Sequence, residues 1–238
     1  MFRTLIKFGL YLEGKGYGSA TLTNEVRATR KFVNGGVFID VGANKGLYSK
    51  ELLFQYGKNV TELHLFEPSK ELAEKHLKFA DDRVRINNIA LSDSSGTATL
   101  YKVTGNSGLN SLTKRRLDHF EVAMDAAEEI KTITLDEYVD SHGIRAIDLL
   151  KIDVEGHELD VLKGATLNLK NNTIKCIQFE FGGCNIDTRT FFQDFWYFLH
   201  GEFDYKIYRV TPFGVTQLNK YSELDEIFLT TNFLAVKA

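Results

Sequence analysis

The 238-residue chain has little of several things that often announce a function. It has two cysteines, Cys176 and Cys184. They do not form a CxxC pair, and no histidine or further cysteine completes a zinc-site pattern. They read as reduced thiols of a cytoplasmic protein, not as a disulfide framework. It has two prolines, Pro68 and Pro212, so no proline-rich linker divides it. It has no excess of positive charge: 29 Lys and Arg stand against 32 Asp and Glu, a net charge of −3. Nothing forces the basic face of a nucleic-acid binder, and Lys114-Arg115-Arg116 is the main local exception. No apolar stretch approaches the ~20 residues of a membrane span. The N-terminal stretch MFRTLIKFGLYLEGKG is interrupted by Lys7 and has no small-residue cleavage pattern, which argues against a signal peptide.

What is present is ordinary globular material, 43% apolar and 26% charged. The length suits one large domain with a small addition, read as a helical extension over 1–30 and a domain over 31–238. In the extension, Phe2, Leu5, Ile6 and Leu10 fall at helical spacing, which predicts a short amphipathic helix docked on its own domain. From residue 37 strand-like and helix-like runs alternate. Strands are expected at 37–41, 62–66, 84–87, 146–152 and 174–181, with helices between them, among them 47–56, with Leu47, Leu52, Leu53 and Tyr56 on its buried face, and 69–79, capped by Ser69. That alternation predicts an α/β fold with a mostly parallel, doubly wound sheet. The last strands, 205–210 and 227–236, have no helix between them and are expected as an antiparallel hairpin. Open sheets of this kind bind ligands at the carboxyl ends of their strands. Chemistry is therefore expected after Val41, Phe66, Asn87, Ile152 and Phe179.

The loops there are informative. "FIDVGANKG" is a buried strand ending in a small-residue turn. Gly42 permits a tight turn, and Gly46 opens a helix whose first amides are free donors. Asn44 stands where a dinucleotide fingerprint needs its middle glycine, so the spacing suits a carboxylate better than a pyrophosphate. Asp40 wants a cation or a donor, which an amino acid's ammonium or a neighbouring turn can supply. Glu67 ends the second strand, 25 residues past Gly42, where a carboxylate accepts from ribose hydroxyls. Pro68 then fixes the turn. In "NNIALSDSSG", Ile89, Ala90 and Leu91 offer apolar surface to a purine, and Asp93 can accept from an exocyclic amine; the same composition also makes a plain turn. In "LLKIDVEGHE", Lys151 and Asp153 flank one mouth of the cleft. Glu158 reads as a helix-dipole partner. Glu180 adds an acid at the same rim, and His157 is a candidate base. The loop 105–111, "GNSGLNS", reads as a lid or a surface loop.

These blocks, "FIDVGANKGLYS", "LFEPS", "NNIALSDSSG", "TLDEYV" and "LLKIDVEGHELDVLKGA", resemble successive motifs of FkbM-type S-adenosylmethionine-dependent methyltransferases from about Val37 to Glu180. The resemblance implies a class I methyltransferase, Rossmann-like fold with a seven-stranded sheet whose last strands are antiparallel. It implies S-adenosyl-L-methionine as cofactor. Asp40, Gly42, Ala43, Asn44 and Gly46 would hold its methionine part, and Glu67 with Pro68 its ribose. Ala90, Ser92 and Asp93 would surround the adenine. Asp153 and Glu155, with Glu180, would face the methyl-transfer cleft, where Asp153, Glu180 and His157 are the catalytic candidates. No metal is assigned, although a divalent cation on Asp153 and Glu180 is a rival reading. The acceptor is expected to be a hydroxyl on a sugar, glycan or secondary metabolite. Nucleic acid is not expected as a partner, and a homo-oligomer is left open. The alternatives are a nicotinamide-dependent oxidoreductase, which the missing fingerprint disfavours, and a non-catalytic module that binds S-adenosylmethionine.

Overall fold

The computed structural model describes residues 2–18, 22–76, 79 and 81–237. Two helices come first, α1 (Phe2–Leu12) and α2 (Leu22–Thr29), before the first strand, β1 (Gly36–Val41). α3 (Leu47–Tyr56), β2 (Val60–Phe66), α4 (Lys70–His76) and β3 (Val84–Asn87) complete the first half. A short three-stranded sheet follows, of β4 (Ala90–Leu91), β5 (Gly96–Lys102) and β6 (Ala126–Ile133). Then come α5 (Leu135–His142), β7 (Ile147–Ile152), α6 (Glu158–Lys163), α7 (Thr166–Lys170) and β8 (Ile174–Phe181). The chain closes with α8 (Cys184–Thr188), α9 (Phe192–Phe195) running into a π-helical turn at Trp196–Glu202, β9 (Tyr205–Thr211), β10 (Gly214–Leu218) and β11 (Thr231–Lys237).

The main sheet has the order β10-β9-β11-β8-β7-β1-β2-β3. Strands β3, β2, β1, β7 and β8 are parallel neighbours, and β11 is antiparallel to both β8 and β9. Strand order therefore reverses between β1 and β7, and a crevice opens there at the carboxyl ends. Each face of the sheet is apolar and buried. Ile39, Leu150, Ile177 and Phe179 pack on one side under α5, α6, α7 and α9. Phe38, Leu63, Leu149 and Cys176 pack on the other, with Val26 of α2 and Leu52 of α3. No helix among the described residues is long and apolar enough to cross a membrane.

Several expectations are corrected. The main sheet has eight strands instead of seven, because Gly214–Leu218, read as a gap, adds an edge strand. Its polar, half-exposed pattern carried no core signal. The tight hairpin joins β9 to β10, whereas β11 inserts between β9 and β8. In α3 the buried residues are Tyr48, Ser49, Leu52 and Tyr56, while Leu47 is 57% exposed. The helix is rotated because Gly46, at φ 68°, turns the chain into it and brings Ser49 onto Asp40. Finally, α1 forms as expected but buries none of its residues. The helix expected at 69–79 is described as Lys70–His76, and its Leu77 lies outside the described residues. Ser69 does not cap it, since its hydroxyl is buried without a hydrogen bond.

Candidate active site

The turn after β1 is built by backbone. Gly42 and Ala43 both donate their amides to the Phe66 carbonyl at 3.0 Å, locking β1 to β2. Gly42 has φ +78°, and a Cβ there would lie 1.9 Å from the Asp153 carbonyl oxygen. The residue must therefore be glycine, both for its conformation and for the approach of β7. Asn44, also left-handed at φ 48°, donates its amide to Glu67 Oε2 at 2.8 Å. Glu67 Oε1 accepts from the Ser69 amide at 2.9 Å. Each carboxylate oxygen keeps acceptor capacity beyond these bonds. Burial pushes Glu67 up to about 7, although both amides pull it down.

Beside this turn lies a cleft enclosing about 780 Å³, mouth included. Of the residues singled out from sequence, Gly42, Asn44, Glu67, Pro68, Ala90, Asp153 and His157 line it. Asp40, Ala43, Gly46, Ser92, Asp93 and Glu180 do not. Asp40 is fully buried and accepts from Ser49 Oγ at 2.6 Å. The cation it asks for comes from the neighbouring strand: Lys151, its register partner, stands 3.4 Å from Oδ1. Ser92 and Asp93 form a turn held against Gly164, where a Cβ would come 2.0 Å from the Ser92 carbonyl oxygen. That close approach, rather than a left-handed cap, is why α6 ends in glycine.

Lys151 is the electrostatic hub. Its ammonium lies 3.2 Å from Asp153 and 5.1 Å from the centre of the Tyr48 ring. Burial disfavours its charge, but Asp153 and Asp40 outweigh burial and hold it protonated above the ordinary lysine range. Tyr48 donates to Gln178 at 2.5 Å, and Gln178 donates to Glu25 of α2 at 3.4 Å. Burial pushes Glu25 up to about 7, aided by Asp153 and opposed by Lys151. Glu25, Tyr48 and Gln178 were missed by sequence reasoning. Glu25 lies in the segment assigned to the extension, and lone polar positions in apolar runs gave the other two no functional signal.

The segment after β7 makes the wall. Glu155 has φ 57° and is hydrogen-bonded to the buried Arg115, which also pairs with Asp187 at 3.5 Å. Burial pushes Glu155 up to about 8, with Asp153 adding to the shift. Glu158 is buried and accepts from the Val154 and Gly156 amides at 3.0 and 3.1 Å, so it fastens this turn. His157 has both ring nitrogens engaged, Nδ1 2.8 Å from Asp160 and Nε2 2.9 Å from Thr113. Behind Glu155 opens a second, larger cavity that also takes in Glu180. Burial raises Glu180 strongly, and Asp153, Glu155, Glu158 and Glu25 raise it further. Its side chain makes no hydrogen bond or ion pair among the described residues, so burial favours its protonated form. Phe120, Ile186 and Phe228 give this cavity apolar walls, and Lys114, Arg116 and Arg189 stand at it without ion pairs among the described residues. The loop 105–111 does lie over the first cleft: Ser107, Gly108, Asn110 and Ser111 line it, and Ser107 Oγ donates to Asn44 Oδ1 at 2.8 Å. Among the described residues no group of three or more His, Cys, Asp or Glu converges as a metal-ligand set.

An open, mostly parallel α/β sheet with a cleft at its switch point defines a small-molecule-binding α/β protein. Residues 40–207 match the methyltransferase FkbM domain, and the chain belongs to that family. It is 29% identical over 139 residues to the 2-O-methyltransferase NoeI of Sinorhizobium fredii, covering 54% of this chain and 56% of that protein. It is 32% identical over 154 residues to the methyltransferase sdnD of Sordaria araneosa, covering 53% and 59%. A 62-residue stretch is 39% identical to the hexuronic acid methyltransferase AglP of Haloferax volcanii, covering 26% of each. The chain thus spans little more than half the length of the first two relatives. A crystal structure of a methyltransferase FkbM from Methylobacillus flagellatus superposes with a TM-score of 0.48 at 15% identity, covering 86% of this chain and 44% of that one.

Proposed function

We propose that the protein is an S-adenosylmethionine-dependent methyltransferase acting on a hydroxyl of a sugar, glycan or secondary metabolite. The observation that carries this reading is the convergence of Gly42, Asn44, Glu67, Pro68, Ala90 and Asp153 on one cleft. The donor set fits the cofactor. Glu67, fixed by two amides, is a preorganised acceptor for two ribose hydroxyls. Ala90 and Leu91 form an apolar wall for the adenine, and the Gly42–Asn44 turn holds the amino-acid end. Asp40, Ala43 and Gly46 act behind that turn as its support, and Ser92 and Asp93 shape the loop beside Ala90. The domain is taken as 31–238, with 1–30 as an extension that contributes Glu25 to the rim. The class I methyltransferase fold belongs to the same reading, with β10 added to its seven strands.

When bound, the cofactor supplies a methyl group already activated on a sulfonium. The chain's task is alignment, which can supply about 7–11 kcal/mol of the barrier. Asp153 stands at the cleft and takes the acceptor's hydroxyl proton. Glu180, whose protonated form burial favours, donates a hydrogen bond to a neighbouring oxygen of the acceptor. His157, held at both nitrogens, positions the 153–157 turn. The lid over Asn44 limits the access of water. The second cavity holds the acceptor, with Phe120 and Phe228 as platforms for a ring. Arg116 and Arg189, without ion pairs among the described residues, suit an acceptor with an acidic substituent, in line with a relative named for hexuronic acid. We place the enzyme in the cytoplasm, since two free, buried cysteines suit a reducing compartment. No nucleic-acid partner is proposed, given the net charge of −3.

The test is methyl transfer from labelled S-adenosylmethionine to matched neutral and acidic sugars. The expected result is labelled product, with a lower KM for the acidic member. Arg116→Glu with Arg189→Glu removes that preference and leaves kcat on the neutral sugar unchanged. Binding of the cofactor with no acceptor labelled would point to a non-catalytic module instead.

A further inference from the structure

Helix α1 is the largest anomaly on the surface. Phe2 is 76% exposed, Leu5 62%, Ile6 47% and Phe8 59%, and no residue of the helix is buried. At 3.6 residues per turn these four share one wide face with Gly9 and Leu12. Arg3, Thr4, Lys7 and Tyr11 occupy the opposite side. The helix carries two cations and no acid. Contiguous apolar surface of this kind marks a docking face and is not an ordinary solvated helix. The base of the helix is nonetheless fixed to the domain. Gly14 packs on Val210 and Thr211, Lys15 pairs with Glu13 at 3.0 Å and Asp225 at 3.6 Å, and the Gly18 amide bonds the Thr230 carbonyl. Glu13, the acid nearest the helix, is thereby partnered.

A second apolar group stands beside that base. Phe213, on the β9–β10 turn two residues past Thr211, is 82% exposed. The groove it borders is lined by Arg27 and Lys31 of the neighbouring α2 segment. Apolar side chains flanked by cations that make no ion pair among the described residues are therefore repeated on two elements of one edge, in a chain whose net charge is −3.

We propose that this edge docks on an anionic membrane surface, with the apolar face of α1 and Phe213 entering the acyl boundary. Arg3, Lys7, Arg27 and Lys31 meet the headgroups. An apolar partner protein would be served by the helix face alone and gives no reason for the cations. A lipid surface uses both features, as interfacial helices do. The edge adjoins Leu229 and Thr230, which line the second cavity. If that cavity holds the acceptor, a lipid-carried acceptor reaches it from the same membrane. This extension rests on the proposed function, whereas the docking does not.

The test is flotation of the full chain with phosphatidylcholine vesicles, alone or with about a third phosphatidylglycerol. The chain is expected to float with the anionic vesicles and not with the neutral ones. Arg3→Glu with Lys7→Glu lowers the bound fraction at least about tenfold. Leu5→Glu with Phe8→Glu abolishes binding, and both variants keep the wild-type melting temperature and affinity for S-adenosylhomocysteine. Failure to float with anionic vesicles at low salt would overturn the proposal. So would a dimer in size-exclusion chromatography that Leu5→Glu with Phe8→Glu converts to monomer, since a second copy would then be the occupant. Flotation with no binding of S-adenosylhomocysteine would leave the docking standing and remove the functional reading.

Discussion

At the scale of single residues, the site is a set of acids that burial has made weak, arranged around one buried lysine. Burial brings Glu25 and Glu67 to about 7 and Glu155 to about 8. An acid with a raised folded pKa binds its proton more tightly folded than unfolded. Its favourable contribution is therefore complete below the ordinary value near 4.5 and is lost as pH rises through 7 to 8. The ligand-free chain should melt lower at pH 8 than at pH 5.5. Glu25→Gln, which keeps a polar partner for Gln178, should flatten that slope and melt about 2–4 °C above wild type at pH 8. Thermal melts across this range check both. Asp153 tests the chemistry. Asp153→Asn should lower kcat by about 10²–10⁴-fold while leaving S-adenosylhomocysteine affinity within about threefold, the pattern of a lost proton acceptor. Isothermal titration beside turnover measurements separates the two effects.

At the scale of elements, the strands that face water on neither side were legible in the sequence. β1, β7 and β8 form within a residue of the bounds expected, because largely apolar runs bounded by turn residues have few other solutions. The glycine turn, Glu67 and the acids after β7 were legible for the same reason, since they interrupt such runs at the strand ends. What stayed hidden depends on partners distant in sequence. Asp40 finds its cation on Lys151, 111 positions away, and Glu25 meets Gln178 across 153 positions. Nor did composition show that α1 would stay uncovered, since an apolar face looks the same whether a core or a membrane receives it. The β1–β7 junction yields a prediction at this scale. Gly42→Ala forces a left-handed side chain against the Asp153 carbonyl, at about 1–3 kcal/mol for backbone strain before any clash. A melting temperature within a degree of wild type would show that β1 and β7 can part without cost.

At the scale of the whole molecule, the fold places two cavities back to back, with Glu155 lining both and the 105–111 loop over the first. A helix anchored beside the second cavity presents an uncovered apolar face. The proposed donor site, acceptor site and docking edge thus fall around the carboxyl ends of the central strands and the β9–β11 edge next to them. The methyltransferase activity proposed for this fold requires the first cavity to be the cofactor site, with Glu67 as its ribose anchor. Isothermal titration of S-adenosylhomocysteine into wild type and Glu67→Gln, at pH 6 and pH 8, tests this directly. Binding is expected to tighten as Glu67 ionises through about pH 7, with at least about tenfold weaker binding by Glu67→Gln at pH 8 and a smaller gap at pH 6. Equal affinities for the two proteins at pH 8, or no binding by wild type at either pH, would contradict it.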